Sequence, residues 1–225
     1  SGGGNDLAAN NAGEADTMLI PAGVDASRDN QGFLMNRQKD TNSLNLASNL
    51  LASGLDDGPH AKVKHIDLGT SDFSVCFWVY KLRDWTDQYI VSQVVDDNNR
   101  WYIRGSNDST AVLNLYAKSQ DIDSGSDYVI LSDKDTTDLE ANHLDKWLHV
   151  VCTVDRSDTS NGIQWYLNGS ATTNGGVNSG EGQEDASLSL AADLTIGWNE
   201  QGGQADHHFD GMIDDFLIYS DILSA

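Results

Sequence analysis

A loop near the end of the sequence gathers side chains that could bind a ligand. Between two alternating apolar stretches, residues 194–196 and 212–219, the chain carries indole, amide, carboxylate and imidazole groups. Sugar recognition uses such a set, because a flat ring stacks on the sugar while polar groups hydrogen-bond its hydroxyls. The preferred ligand rim consists of Trp198, Asn199, Asp206 and His207.

The six tryptophans fall into two groups. Three lie inside alternating runs and are expected in the core, namely Trp78, Trp147 and Trp165. The other three lie at strand ends or in loops, where exposure is easier, namely Trp85, Trp101 and Trp198. Trp85, in the segment LRDWTDQY, therefore joins the rim as a further ligand-binding candidate, and the alternative for these three is a lid over the core.

Acidic segments provide oxygen atoms for calcium, which collects carboxylate, amide and backbone ligands from loops without fixed spacing. No EF-hand spacing is present. Zinc is disfavoured, because the adjacent His207 and His208 point apart in an extended chain. Calcium is thus the candidate cofactor, with solvated surface carboxylates as the alternative, and its candidate ligands are Asp96, Asp97, Asp206, Asp210, Asp214 and Asp215.

Catalytic patterns are missing from the sequence. Glycosidases need paired carboxylates flanking the scissile bond. No Glu-x-Asp-x-x-Glu triplet is present, and the acidic clusters around Asp121 and Asp135 have loop composition. A Gly-x-Ser-x-Gly nucleophile elbow is also missing. We therefore predict a protein that is not an enzyme.

Composition limits both architecture and partners. A chain of 225 residues with 39% hydrophobic content is enough for one domain. Its 35 acidic against 13 basic residues give a formal charge of −22, which disfavours nucleic acid and anionic membranes. No stretch approaches about 20 consecutive apolar residues, and no charged start precedes an apolar signal core, so we expect neither membrane insertion nor an export signal within this sequence. Because the sequence begins at Ser1 without Met, we expect a piece of something longer.

Short alternating runs dominate the chain and predict an all-β fold. Residues 1–16 are expected to form a flexible arm, residues 42–55 at most one short helix, and residues 171–185 a long mobile loop. Asn168-Gly169 predicts a tight hairpin, because both residues accept positive φ. The expected strands are residues 61–68, 72–80, 87–96, 100–105, 110–119, 126–133, 146–155, 162–169, 192–198 and 211–220.

The segments DFSVCFWVY, KWLHVVCTVDRS, GIQWYLNG, LTIGW and FDGMIDDFLIYSDILS follow one another in that order. Together they resemble the laminin-G-like, concanavalin A-like jelly-roll family over residues 73–224. The resemblance implies two stacked antiparallel sheets, with ligands at a rim of loops or on a concave face. It also implies one domain over residues 17–225, and related modules often hold one structural calcium with a strand-end Asp.

Cys76 and Cys152 lie in strand-like runs and are interpreted as buried free thiols, with one disulfide as the alternative. His149, in mid-strand, is interpreted as a structural residue. The expected function is a non-catalytic module of a larger extracellular or particle-surface assembly, binding glycan or a glycosylated surface. The alternative is a structural or adhesive module with protein partners, such as a viral capsid decoration or tail-appendage domain.

Overall fold

The computed structural model describes residues 8–10, 17–19, 44–45, 60–81, 88–107, 111–120, 127–134, 139, 143–158, 161–178, 186–199 and 208–224. These residues form fourteen strands. The strands are β1 (Ala8–Asn10), β2 (Thr17–Leu19), β3 (Leu44–Asn45), β4 (His60–Val63), β5 (Phe73–Lys81), β6 (Tyr89–Asp96), β7 (Asn99–Asn107), β8 (Ala111–Gln120), β9 (Asp127–Lys134), β10 (Trp147–Val154), β11 (Ile163–Leu167), β12 (Ser170–Asn178), β13 (Leu194–Ile196) and β14 (Gly211–Tyr219).

The strands pair antiparallel and form two layers. The hydrogen-bonded order is β2-β1-β4-β13-β6-β7-β8-β9-β12-β11-β10-β5-β14-β3. We call the part from β2 to β9 sheet A and the part from β11 to β3 sheet B. Strand β12 pairs with both β9 and β11, so it joins the two layers. The predicted all-β, two-sheet jelly-roll sandwich is confirmed.

The core lies between the layers and follows the strand alternation. In β5 the buried side chains of Phe73, Val75, Phe77 and Val79 share one face, because side chains alternate across a strand. Sheet A contributes buried side chains such as Trp101 to the same core. Burial of these apolar side chains is the main driving force for stacking the sheets.

Gln93 in β6 ties irregular segments to sheet A. Its fully buried Nε2 donates to the carbonyl oxygens of Ile66 (3.0 Å), Leu190 (3.0 Å) and Ala192 (2.9 Å). Its Oε1 accepts from Trp101 Nε1 at 2.8 Å. A buried amide with both ends bonded is stabilising, because those backbone carbonyls would otherwise lose their water partners.

The hairpin between β11 and β12 is confirmed, with φ of 49° at Asn168 and 79° at Gly169. Asn168 Oδ1 also accepts from the backbone N of His149 at 3.0 Å. The predicted loop over residues 171–185 is wrong in its first part, because β12 extends to Asn178. A glycine-rich strand is invisible to side-chain alternation, since its pairing rests on the backbone alone.

Other expectations have mixed outcomes. Leu44–Asn45 forms β3 instead of beginning a helix, and the rest of residues 42–55 lies outside the described residues. Ala8–Asn10, in the predicted arm, forms β1, which pairs with β4. Both cysteines are buried and form no disulfide, and no described helix is long and apolar enough to cross a membrane.

The cysteines lie on opposite faces of sheet B. Cys76 pairs with Val151, whereas Cys152 pairs with Val75, so adjacent registers point the two thiols in opposite directions. This arrangement prevents a disulfide, because the Cβ vectors point apart.

Candidate functional site

Two residues of the expected ligand rim are buried. Trp198 is only 8% exposed, and Asn199 is buried as well. The Trp198 ring lies between His60 and His208, with centroid distances of 4.9 and 5.6 Å. The prediction of an exposed stacking face at Trp198 is therefore wrong. Asp206, His207 and Trp85 lie outside the described residues, and their roles stay predictions.

Backbone hydrogen bonds explain why Trp198 folds onto sheet A. Gly197 N donates to Ile90 O at 2.9 Å, and Ser92 Oγ donates to Trp198 O at 2.7 Å. Ile90 and Ser92 both belong to β6, so these two hydrogen bonds hold the segment after β13 against sheet A. Loop composition could not reveal this, because the contacts come from residues distant in sequence.

The acidic turn at Asp96 and Asp97 is occupied by internal contacts. Asp96 Oδ1 accepts from Asn98 N at 2.7 Å and from Asn99 Nδ2 at 3.0 Å. These hydrogen bonds, first that from the Asn98 backbone, lower the pKa of Asp96 below its ordinary value. Asp97 accepts from Arg100 Nη1 at 3.1 Å. The two carboxylates thus cap the turn between β6 and β7 instead of converging on one point.

The remaining described candidates, Asp210, Asp214 and Asp215, also lie among internal contacts. Asp210 is buried, its N donates to Gln88 Oε1 at 2.9 Å, and its O accepts from Lys81 Nζ at 2.8 Å. The ammonium group of Lys81 beside this residue opposes a cation. Asp214 and Asp215 lie at a β-bulge in β14, where Asp215 N donates to Asp214 Oδ1 at 2.8 Å.

No group of three or more His, Cys, Asp or Glu side chains that could hold a metal occurs among the described residues. The described candidate ligands therefore do not fit a calcium site, which needs several converging oxygens. The calcium prediction now depends on Asp206, in the part of the chain that is not described.

An exposed aromatic surface lies instead on the outer side of sheet B. Trp78 in β5 is 36% exposed and Trp147 in β10 is 39% exposed, so the prediction that both belong to the core is wrong. Trp165 is buried as expected, and Trp101, expected at an exposed strand end, is also buried. Both faces of the run DFSVCFWVY are apolar, and alternation alone could not identify the outer one.

The register of β5 and β10 brings four rings together. Trp147 pairs with Tyr80, and His149 pairs with Trp78. The centroid distances are 5.6 Å for Tyr80–Trp147 and 4.9 Å for Trp78–His149. We call this surface the aromatic face, and it consists of Trp78, Tyr80, Trp147 and His149.

Polar groups border the aromatic face on both sides. Asp214 of β14 pairs with Trp78 from the side opposite His149, so a carboxylate, an indole and an imidazole form one row across three strands. His149 Nε2 lies 3.5 Å from Cys76 Sγ. Flat rings beside hydrogen-bonding groups can stack on a sugar and orient its hydroxyls.

A sequence signal for this face existed. Trp78 and Tyr80 alternate with the buried Phe77 and Val79 and so lie on the opposite face of their strand. His149 is two residues from Trp147 and so lies on the same face as Trp147. A histidine in that row indicates a half-exposed surface, because His is only intermediate in its tendency to be buried.

A cleft of about 490 Å³ opens at the edge between the layers. Its walls are mostly apolar and come from β4, β13 and β14, while its mouth carries Asp67, Ser71, Asp72 and Ser220. Walls of this kind suit an apolar group better than a hydroxyl-rich ligand.

The family model described as the concanavalin A-like lectin/glucanases superfamily matches residues 55–225. The chain belongs to this superfamily, as the sequence resemblance predicted. A comparison with curated proteins found no match.

Solved structures share the fold at low sequence identity. The binding domain of botulinum neurotoxin serotype D is 20% identical over 82% of this chain and 40% of that chain, with a TM-score of 0.53. Botulinum neurotoxin type C, whose cell entry depends on two ganglioside molecules, is 18% identical over 75% and 38%, with a TM-score of 0.50. Domain 4 of an extracellular arabinanase from Geobacillus stearothermophilus is 18% identical over 74% and 69%, with a TM-score of 0.49.

Proposed function

We propose that this protein is a non-catalytic glycan-recognition module and that the aromatic face is its binding surface. The observation that carries the proposal is the exposure of Trp78 and Trp147 on neighbouring paired strands. Exposing large aromatic rings to water is unfavourable, and clustered exposed apolar groups commonly mark binding sites. Strands also hold the rings more rigidly than loops, so less conformational entropy is lost on binding.

The neighbouring polar groups favour a sugar over a purely apolar ligand. The carboxylate of Asp214 and the imidazole of His149 flank the Trp78 ring in one row. Sugars present apolar C–H faces and hydroxyl edges, which match stacking rings and hydrogen-bonding groups respectively. The ganglioside dependence of the type C toxin indicates that this fold can serve glycan recognition elsewhere.

The proposal includes attachment to a larger extracellular or particle-surface assembly, with glycan or a glycosylated surface as the partner. The absence of a glycosidase carboxylate triplet from the sequence supports a binding role. Calcium stays a proposal for the loop that carries Asp206. It is tested by comparing glycan binding in EDTA with binding after calcium is restored.

A glycan array followed by calorimetric titration of the best binder tests the proposal. Trp78→Ala and Trp147→Ala should each weaken binding by about 2 kcal/mol, or roughly 30-fold in Kd, which is the cost of losing an aromatic anchor. Tyr219→Ala is the matched control, because Tyr219 is also an exposed aromatic residue of sheet B but pairs with Ser74, away from the aromatic face.

Circular dichroism should show that all three variants are folded, because each substituted side chain lies at the surface of sheet B. Unchanged glycan affinity in both tryptophan variants would reject the aromatic face as the site. Binding of a protein partner with no glycan bound on the array would favour the structural or adhesive module instead.

A further inference from the structure

The outer side of sheet A carries a group of cations on one surface. In β7, Arg100 and Arg104 flank Tyr102 on alternate positions, so all three share a face. In β8, Lys118 pairs with Arg100 and Tyr116 pairs with Tyr102. We call the surface formed by Arg100, Tyr102, Arg104, Tyr116 and Lys118 the cationic face.

This grouping is unexpected for such an acidic chain. Only 13 of the 225 residues are Lys or Arg, yet three of them, Arg100, Arg104 and Lys118, share this one face. Arg100 and Lys118 stand directly opposite each other across β7 and β8, an arrangement of like charges that destabilises a sheet. A surface that concentrates positive charge at a cost in stability is typical of an anion-binding site.

Tyrosine rings hold the guanidinium groups in place. The Tyr102 and Tyr116 rings stack at 5.2 Å with an interplanar angle of 20°. Arg104 Cζ lies 5.4 Å from the Tyr102 ring centre, and Arg100 Cζ lies 5.8 Å from that of Tyr116. These cation–π contacts orient the two arginines before any ligand arrives, which lowers the entropy cost of binding.

The tyrosine hydroxyl at the centre of the face is a lasting donor. Burial raises the pKa of Tyr102 to about 12, against the opposing influence of Arg104. Its hydroxyl therefore keeps its proton into the alkaline range. Two of these cations also have acceptors within the fold, since Asp97 bonds Arg100 at 3.1 Å and Asn98 Oδ1 accepts from Lys118 Nζ at 2.7 Å.

We propose that the cationic face binds an acidic saccharide through its carboxylate or sulfate groups, as a second site separate from the aromatic face. Arg104 and Arg100 present planar guanidinium groups, which match such oxyanions with paired hydrogen bonds, and Lys118 adds a point charge. The net charge of −22 repels acidic ligands elsewhere on the surface, so binding is confined to this face. Three cations are too few for a long phosphate backbone against that field.

Matched probe pairs test the proposal in the full chain. The probes are oligogalacturonate beside its methyl ester, and a sulfated heparin oligosaccharide beside its desulfated, N-acetylated form. We expect at least one acidic probe to bind ten-fold or more tightly than its neutral counterpart. We expect Arg104→Gln and Lys118→Gln each to reduce that preference at least five-fold, while Arg104→Lys retains part of it.

Lys146→Gln is the matched control, because this substitution also removes one positive charge. Lys146 is exposed and directly precedes β10, which belongs to sheet B. The acidic preference of Lys146→Gln should equal that of the unmodified protein. Equal binding of acidic and neutral probes, or a preference that survives both Arg104→Gln and Lys118→Gln, would overturn the proposal. So would tighter binding of a short single-stranded DNA than of either acidic probe.

The proposals for the two sites can be tested independently. A Trp78→Ala/Trp147→Ala double variant should lose neutral glycan binding but keep the acidic preference. If that preference disappears in the double variant while Arg104→Gln leaves it intact, the acidic saccharide binds the aromatic face and the cationic face is rejected. Circular dichroism of every variant identifies any that is unfolded. If Arg104→Gln is unfolded, the acidic preference of Arg104→Lys is measured in its place.

Discussion

At the scale of single residues, Gly211 occupies a position with no room for a side chain. A Cβ here would collide with the carbonyl oxygen of Tyr80 and lie 2.8 Å from Phe209 Cε1. The backbone φ angle does not require glycine at this position. The close approach of β14 to β5 does. Glycine in FDGMIDD is therefore required by packing between neighbouring strands.

Gly211→Ala should lower the free energy of unfolding by about 1–3 kcal/mol, the usual cost of forcing atoms into a packed site. Urea denaturation followed by tryptophan fluorescence measures the change. An unaltered midpoint would show that β14 can move away from β5 without loss.

Trp198 provides a second test at this scale, since its indole is buried between two imidazole rings. Trp198→Ala should lower stability by about 3–5 kcal/mol, as expected for truncating a buried aromatic residue. Glycan affinity of the folded fraction should not change. A variant with normal melting and weakened glycan binding would restore Trp198 to the ligand rim.

At the scale of elements, Gln93 shows how irregular segments are fixed to a sheet. One side chain in β6 bonds the segment after β4, the segment before β13 and an indole of β7. These contacts hold two irregular segments, next to β4 and β13, against sheet A. Their position therefore depends on a polar residue within an apolar core.

Gln93→Leu should cost about 3 kcal/mol, because the Trp101 indole N–H and several carbonyl oxygens lose their buried partner. Gln164→Leu is the control, since Gln164 is only half-buried although its Nε2 also donates to backbone carbonyls at 2.8 and 3.1 Å. Thermal melting of both variants gives the comparison, and equal losses would contradict the role given to Gln93.

Elements were predictable from the sequence where alternation and turn residues agreed. The runs at residues 72–80 and 146–155 match β5 and β10 closely, and Asn168-Gly169 forms the expected hairpin. Strand β12 was missed because its glycines carry no alternation. The exposed tryptophans were missed because both faces of β5 are apolar, and the burial of Trp198 depends on His60, which is far away in sequence.

At the scale of the whole molecule, the two sheets turn different surfaces outward. Sheet B exposes the aromatic face, and sheet A carries the cationic face on the opposite side of the sandwich. The cationic face also affects stability at alkaline pH through Tyr102.

The pKa of Tyr102 is about 12 in the folded protein against 10.0 for the ordinary group. A raised pKa stabilises the fold fully below pH 10, and this contribution is lost as pH rises from about 10 to about 12. Tyr102→Phe should therefore lose less stability than the unmodified protein over that range. Melting curves from pH 9 to 12 measure this loss for the unmodified protein, Tyr102→Phe and the exposed control Tyr219→Phe. An equal decline of all three proteins would contradict the prediction.

The most direct test of the glycan-binding proposal is a titration monitored by the indole N–H signals of the six tryptophans in an NMR spectrum, assigned by single substitutions. Glycan identified on the array should shift the Trp78 and Trp147 signals in proportion to occupancy. The signals of the buried Trp101, Trp165 and Trp198 should stay in place. Shifts at Trp198 with unmoved Trp78 and Trp147 signals would contradict the aromatic face as the binding site.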